Sequence, residues 1–391
     1  MKKLLLILLC MPMIGLGQNV NIPDANFKAY LVGNSLINTN GDTEIQITEA
    51  NFFSGTIDCG YLNISNLSGI EAFTSLEILR CDGNQLSSLD INQNIVLKKL
   101  YCSANNISNL DISNNNILTH LECRGTPILN SLTNLNTIGA DSLRTLDCKY
   151  SSLTNLDLTS NKNIRTIECS DNNLVSLDVS NCEKLWSIWT ENNQLSFVNL
   201  SGCNDLIQLF CENNQLTSLD VSQCPKLAIL TCQNNQITSL DLTNNINLGH
   251  LWCQDNYIDV LDLSNATGFS HLFCQNNNLH TLNVKNGNNQ NWGAGVVNGL
   301  LLNTTNNTDL SCISVDDSTF SANNWTSSNS YFIGFNQYFS NNCPPSAIQE
   351  HSANKELLKV TDLFGREVKQ TNQPLFYIYD DGTVEKRIVI E

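Results

Sequence analysis

Apolar and polar positions alternate along this chain in short bursts that recur at a fixed interval. A unit of the form Leu/Ile-x-x-Leu/Ile-x-Cys is closed in turn by Cys81, Cys102, Cys123, Cys148, Cys169, Cys211, Cys232 and Cys253, and by Cys274 with Phe269 in the first apolar position. The spacing is 21 residues except for one gap of 25 and one of 42, and in the longer gap Thr190 takes the cysteine position. Each unit has two similar halves, such as Leu76-x-x-Leu79-x-Cys81-x-x-Asn84 and Leu86-x-x-Leu89-Asp90-Ile91-x-x-Asn94. Alternation within each half predicts a short strand with Leu79 and Cys81, or Leu89 and Ile91, turned inward, and the Asn that follows predicts a turn. A period of this size predicts an α/β-type repeat solenoid, mostly β, over residues 56–284. Equivalent residues of successive coils then form ladders about 4.8 Å apart, and the stack offers a long surface rather than an enclosed pocket.

The flanks break the pattern. Residues 1–18 read as a signal peptide: Lys2 and Lys3, an apolar run from Leu4 to Ile14, then Gly15-Leu16-Gly17-Gln18. Residues 19–55 read as a helical cap, with Pro23-Asp24 as a helix start. After Lys285 the period fails, and residues 285–346 form a polar, Gly-rich flank containing Cys312 and Cys343. Residues 347–391 predict a β module whose last two strands turn at Asp381-Gly382.

These segments carry two resemblances. The Leu-x-x-Leu-x-Leu/Cys-x-x-Asn-x-Leu segments, with Leu-Asp-x-Ser/Thr-x-Asn in the second half, resemble bacterial, internalin-like leucine-rich repeats. That resemblance implies macromolecular recognition, although fold and activity are separable. The C-terminal segment from Leu357 is similar to the sorting domain of the type IX secretion system of Bacteroidetes, which implies that secretion machinery as a partner. Residues 310–343 resemble the C-terminal flank of repeats in secreted bacterial proteins. In an exported chain the isolated Cys312 and Cys343 are expected to form a disulfide, worth about 3–4 kcal/mol by loop closure.

The net charge is −17, or −19 once Lys2 and Lys3 are removed, which disfavours nucleic acid and anionic membranes as partners. No segment beyond the signal is apolar for long enough to span a bilayer. Loss of Cys10 with the signal leaves 15 cysteines, an odd number that cannot all pair within one chain. The periodic cysteines read as buried free thiols, packed as small apolar groups in narrow coils. His250-Leu251-Trp252-Cys253 and His271-Leu272-Phe273-Cys274 invite zinc, but His and Cys three residues apart on a strand face opposite ways.

In the cap, Asn38, Asn40, Asp42, Glu44 and Glu49 align with an EF-hand calcium loop, with Asn38 in place of the usual Asp and Thr43 in place of the usual Gly. Calcium is the one cofactor this pattern raises; a turn between cap helices is the other reading. Asp90, Asp111, Asp157, Asp178, Asp220, Asp241 and Asp262 form an outward column, interrupted by Asn199 and expected to be satisfied by neighbouring hydroxyls and backbone N–H groups; cations along the stripe are the alternative.

The outward column of the first strand turns aromatic in the second half of the stack, at Trp189, Phe210, Trp252 and Phe273, with Tyr101 earlier. His250 and His271 flank it on one side and Glu191, Glu212, Gln233, Gln254 and Gln275 on the other. An exposed aromatic strip rimmed by polar groups fits a binding surface for an extracellular protein or glycan; stacking that merely stiffens the sheet is the alternative. No catalytic signature such as G-x-S-x-G or H-E-x-x-H is present, so an enzyme is not expected. The sequence thus predicts a secreted or outer cell-surface recognition protein. A structural surface-layer or scaffold protein is the second reading, and an unrecognised hydrolase the third.

Overall fold

The structure is a computed structural model that describes residues 18–128, 131–180, 182–292 and 301–344, and the strands Leu357–Thr361, Leu375–Tyr379 and Val384–Arg387. The signal segment up to residue 17 and the other residues of the C-terminal segment, Asp381-Gly382 included, lie outside the described residues. The chain divides into two units, Met1–Asn342 and Cys343–Glu391.

The first unit is a mostly β solenoid of about 11 turns with coils of roughly 21 residues. Each coil contributes a three-residue strand, from Thr56–Asp58 to His271–Phe273, that pairs in parallel with the equivalent strand of the next coil. Register follows the repeat, so Trp189 opposes Phe210 and Leu209 opposes Leu230. The 21-residue period ends near Lys285, yet the sheet continues. Leu302–Asn303 and Tyr331–Phe332 add two more parallel strands, giving 13 in all. Longer connections separate these strands, the second holding the strand Cys312–Ser314 and the helix Ser318–Asn324, and the inward Leu302 and Tyr331 keep their rungs. The second half-turns pair in shorter stretches, as in Ser176–Asp178 with Phe197–Asn199.

Both ends of the stack are covered. At the N-terminus lie α1 (Ala25–Val32) and α2 (Ile47–Phe52), with Phe27, Leu31, Ile37, Ile45 and Ala50 fully buried in the shared core. Asp24 caps α1 by accepting from the Asn26 and Phe27 N–H groups, and its second oxygen accepts from Ser65 and Asn66 of the first coil. One carboxylate thus starts the helix and ties it to the repeats. At the other end Trp292 stacks on Trp325 at 4.8 Å and Trp325 on Tyr331 at 5.3 Å, closing the core with aromatic area. Cys312 and Cys343 are joined by a disulfide, as expected. In the second unit the three described strands form an antiparallel sheet in which Leu375–Tyr379 and Val384–Arg387 make the anticipated hairpin. No helix among the described residues is long and apolar enough to cross a membrane.

Two buried ladders hold the coils together. The cysteine ladder starts one coil earlier than the sequence pattern suggested, at Cys59, and its members are buried free thiols. Desolvation pushes them up, Cys169 and Cys232 to about 12, so they stay protonated and apolar. Next to it runs the Asn ladder. Asn193 donates to the carbonyls of Cys169 in the preceding coil and Thr190 in its own, at 3.0 and 3.2 Å, while its oxygen accepts from Leu174 N–H at 2.9 Å. Asn105, Asn172, Asn214, Asn235, Asn256 and Asn277 repeat this pattern. In the second turn Asn94, Asn115, Asn161 and Asn245 do similar work, and Cys182, Cys203 and Cys224 replace them in three adjacent coils.

Truncation of Asn193 strands the buried Leu174 N–H, at roughly 1–3 kcal/mol, and removes bonds to the Cys169 and Thr190 carbonyls, each of which keeps a second amide donor in Asn172 or Asn214, at about 1 kcal/mol net. Asn193→Ala is therefore expected to lower the urea-unfolding free energy by about 2–4 kcal/mol; a loss below about 0.5 kcal/mol, the level of an ordinary surface change, would refute the ladder's role.

Candidate functional site

The outward column of the 13-stranded sheet changes character midway. From the N-terminus it runs Asp58, Arg80, Tyr101, Glu122, Asp147 and Glu168, each opposite the next. It then becomes Trp189, Phe210, Thr231, Trp252 and Phe273.

The charged half neutralises itself. Arg124 bonds Glu122 at 2.7 Å and Asp147 at 3.2 Å, and Lys149 bonds Glu168 at 2.5 Å. Asp147 is only 5% exposed, and desolvation with the neighbouring Glu168 charge pushes its carboxyl up to about 7 in spite of the two cations. Tyr101 belongs to this half. Its ring lies 3.9 Å beneath the Arg80 guanidinium, and three carboxylate coils separate it from Trp189.

In the aromatic half the strip is two stacked pairs, not a continuous band. Trp189 and Phe210 lie nearly parallel with centroids 5.3 Å apart, and Trp252 and Phe273 are tilted at 5.5 Å. Thr231 falls between them, buried, with its hydroxyl donating to Glu212. Trp252 is exposed and the other three rings are half-buried, because each ring of a pair shields its partner across the coils. His250 and His271 stack at 4.3 Å on the same face. Burial lowers both imidazoles, and the proximity of His250 lowers His271 further, so both are neutral at pH 7. Cys253 and Cys274 point into the core on the opposite side, which keeps the two His-x-x-Cys pairs from converging on an ion.

Sequence reading missed two apolar neighbours, Trp186 and Ile207, which are 41% and 39% exposed. They occupy the position just before the strand, on the adjacent coils that carry Trp189 and Phe210, where Ile207 N–H donates to Trp186 C=O at 2.9 Å. The signal was available, since earlier coils place Glu77, Lys98, Thr119, Arg144 and Arg165 there. An exposed amide ladder was missed as well. Asn192, Asn213 and Asn234 hold φ near +56° and bond one another from coil to coil, a conformation that Asn tolerates better than most residues.

The outward Asp column is satisfied locally, as anticipated. Asp90, Asp111, Asp157, Asp178, Asp220, Asp241 and Asp262 each accept from the backbone N–H two residues on. Asn199 does the same through Ser201 N–H. In the cap loop Glu49 accepts from Thr39, Asn40 and Gln46, Asp42 accepts from Glu44 and Gln46, and Asn38 bonds Val32, Gly41 and Asp42. Asn40 bonds Asp42 and Gln46, whereas Glu44 turns to Lys28 at 2.6 Å. The sharp turn is made at Gly41 (φ 72°) rather than at Thr43. Asn38, Asn40, Asp42 and Glu49 thus accept from the loop's own donors, and Glu44 from Lys28. Among the described residues no group of three or more His, Cys, Asp or Glu is arranged to hold a metal.

Because Asp147 binds its proton more tightly folded than unfolded, its contribution to stability is full below about pH 4 and is lost as pH rises through about 7. The stability of the native chain relative to Asp147→Asn is expected to fall between pH 5 and pH 8 in urea titrations, and a difference that rises over this window would contradict the assignment.

No family model matches the chain, and no curated protein does. Among solved structures it is similar to the functional domain of InlJ from Listeria monocytogenes, which includes a cysteine ladder, at 27% identity and a TM-score of 0.59. That match covers 76% of this chain and 66% of the other, just under two thirds of it. InlF, an internalin from Listeria monocytogenes strain 4b F2365, matches over 82% of this chain and 98% of its own with a TM-score of 0.51; at 19% identity it bears on fold alone. With its ladders and 21-residue coils, the chain is a leucine-rich-repeat solenoid whose structural neighbours are internalin-type proteins.

Proposed function

We propose that this chain is an exported leucine-rich-repeat recognition protein, acting outside the cell or at its surface, that binds a protein or glycan partner through the Trp189–Phe210 and Trp252–Phe273 pairs. The observation that carries this reading is the pairing itself. Apolar rings are held on an outward sheet face, with Trp186 and Ile207 extending them, where solvent exposure gains the fold little. Neutral His250 and His271 rim the second pair, supplying a polar edge for a recognition surface. The Cys312–Cys343 disulfide suits an oxidising compartment. The signal-like N-terminus and the C-terminal β hairpin support export and a sorting role for residues 347–391.

Against an array of glycans and surface proteins, the double substitution Trp189→Ala with Trp252→Ala is expected to abolish capture. Each lost stacking contact should cost no more than about 1.5 kcal/mol of stability. Intact capture accompanied by a large stability loss would show that the rings serve the sheet alone.

A further inference from the structure

The fold solves the problem of clustered carboxylates in one half of the sheet and leaves it open in the other. Two residues beyond the outward strand residue, successive coils carry Arg124, Lys149, Ser170, Glu191, Glu212 and Gln233. The first two neutralise Glu122, Asp147 and Glu168. Glu191 and Glu212 follow on the coils of Trp189 and Phe210, and among the described residues no Lys or Arg pairs with either. Hydroxyls orient them: Ser170 donates to Glu191, and Thr231 to Glu212. Burial raises the Glu191 carboxyl, and the like charges of Glu212 and Asp171 add to the effect. Like charges on neighbouring strands destabilise a sheet unless something neutralises them.

We infer that the Trp189–Phe210 pair, with Glu191 and Glu212, receives an arginine or lysine side chain from a basic polypeptide segment. The cation lies against the exposed ring surface, where indole is the strongest aromatic acceptor, and its N–H groups reach the carboxylates two residues along the same face. A neutral glycan can stack on such rings but leaves both charges unmatched. The inference rests on the reading that the aromatic pairs form the recognition surface. Trp252 lies three coils beyond Trp189, about 14 Å at strand spacing, and is flanked by neutral groups. Four residues of extended chain span about the same length and return to the same side. A segment running along the stack therefore sets its basic residue on the first pair and an apolar or aromatic residue, four positions later, on the second.

The test uses the purified full chain and two serine-based peptides. One carries arginine with phenylalanine four residues on, and the other has citrulline, a neutral isostere, in place of arginine. The arginine peptide is expected to bind about tenfold more tightly or better at low salt, and Glu191→Gln with Glu212→Gln should erase that preference. Gln already occupies this column at Gln233, Gln254 and Gln275, so the fold accepts the change. Asp220→Asn with Asp241→Asn, in the column where Asn199 stands naturally, should leave the preference intact and so exclude a general effect of net charge. Equal binding of the two peptides, an arginine preference that survives the Gln substitutions, or no binding of the arginine peptide overturns the inference. If both peptides bind equally and Trp189→Ala releases both, the cation assignment fails while the aromatic surface stands. If Trp189→Ala with Trp252→Ala releases neither, the aromatic-surface reading fails with it.

Discussion

No coil of this protein completes its own hydrogen bonding. The turn that follows most first strands leaves buried carbonyls and an N–H group, and they are met by an Asn amide lying between that coil and the one before it; Leu62, Thr126 and Ser151 hold that position in three coils. A buried backbone group without a partner is costly, so a coil is stable only between neighbours of matching geometry. The 21-residue length, the parallel register and the covered ends all follow from that dependence. Where the amide is missing in the second turn, at Cys182, Cys203 and Cys224, three coils change together; Cys203 instead directs its thiol at the Val179 carbonyl at 3.3 Å.

With the fold carried by inward columns and turn amides, the outward strand column is free to vary, and it divides into two regimes. One is a self-neutralising charge cluster around Asp147. The other is two aromatic stacks, the first bordered by Glu191 and Glu212, with which no Lys or Arg pairs among the described residues. Side-chain parity separates the core from the outward face. Cysteines one residue after the rings point into the core and remain protonated, while the rings face solvent.

Much of this was readable from the sequence because a solenoid turns sequence columns into spatial ladders. Parity placed Cys253 and Cys274 inside and His250 and His271 outside, isolation from the period singled out Cys312 and Cys343, and the Asp column read as local turns. What the sequence hid depends on how neighbouring coils meet. Thr231 splits the aromatic strip because its short side chain sinks beneath the flanking rings and bonds Glu212. Tyr101 stands apart since Arg80 covers it. The coils beyond Lys285 escaped the period because their loops lengthen while their inward residues stay in register. In the cap loop the oxygens spaced like a cation site accept from Lys28, Gln46 and the loop's own N–H groups, partners that spacing alone does not reveal.

We propose that recognition belongs to the outward face of the first strands and stability to the ladders beneath it. Hydroxyl-radical footprinting of the full chain, with and without a captured partner, tests it most directly. The account predicts that oxidation is suppressed on binding at Trp186, Trp189 and Trp252 and unchanged at Phe197 and Tyr257, which are exposed in the other half of the coil. Protection at Phe197 and Tyr257 with the three tryptophans still open would contradict it.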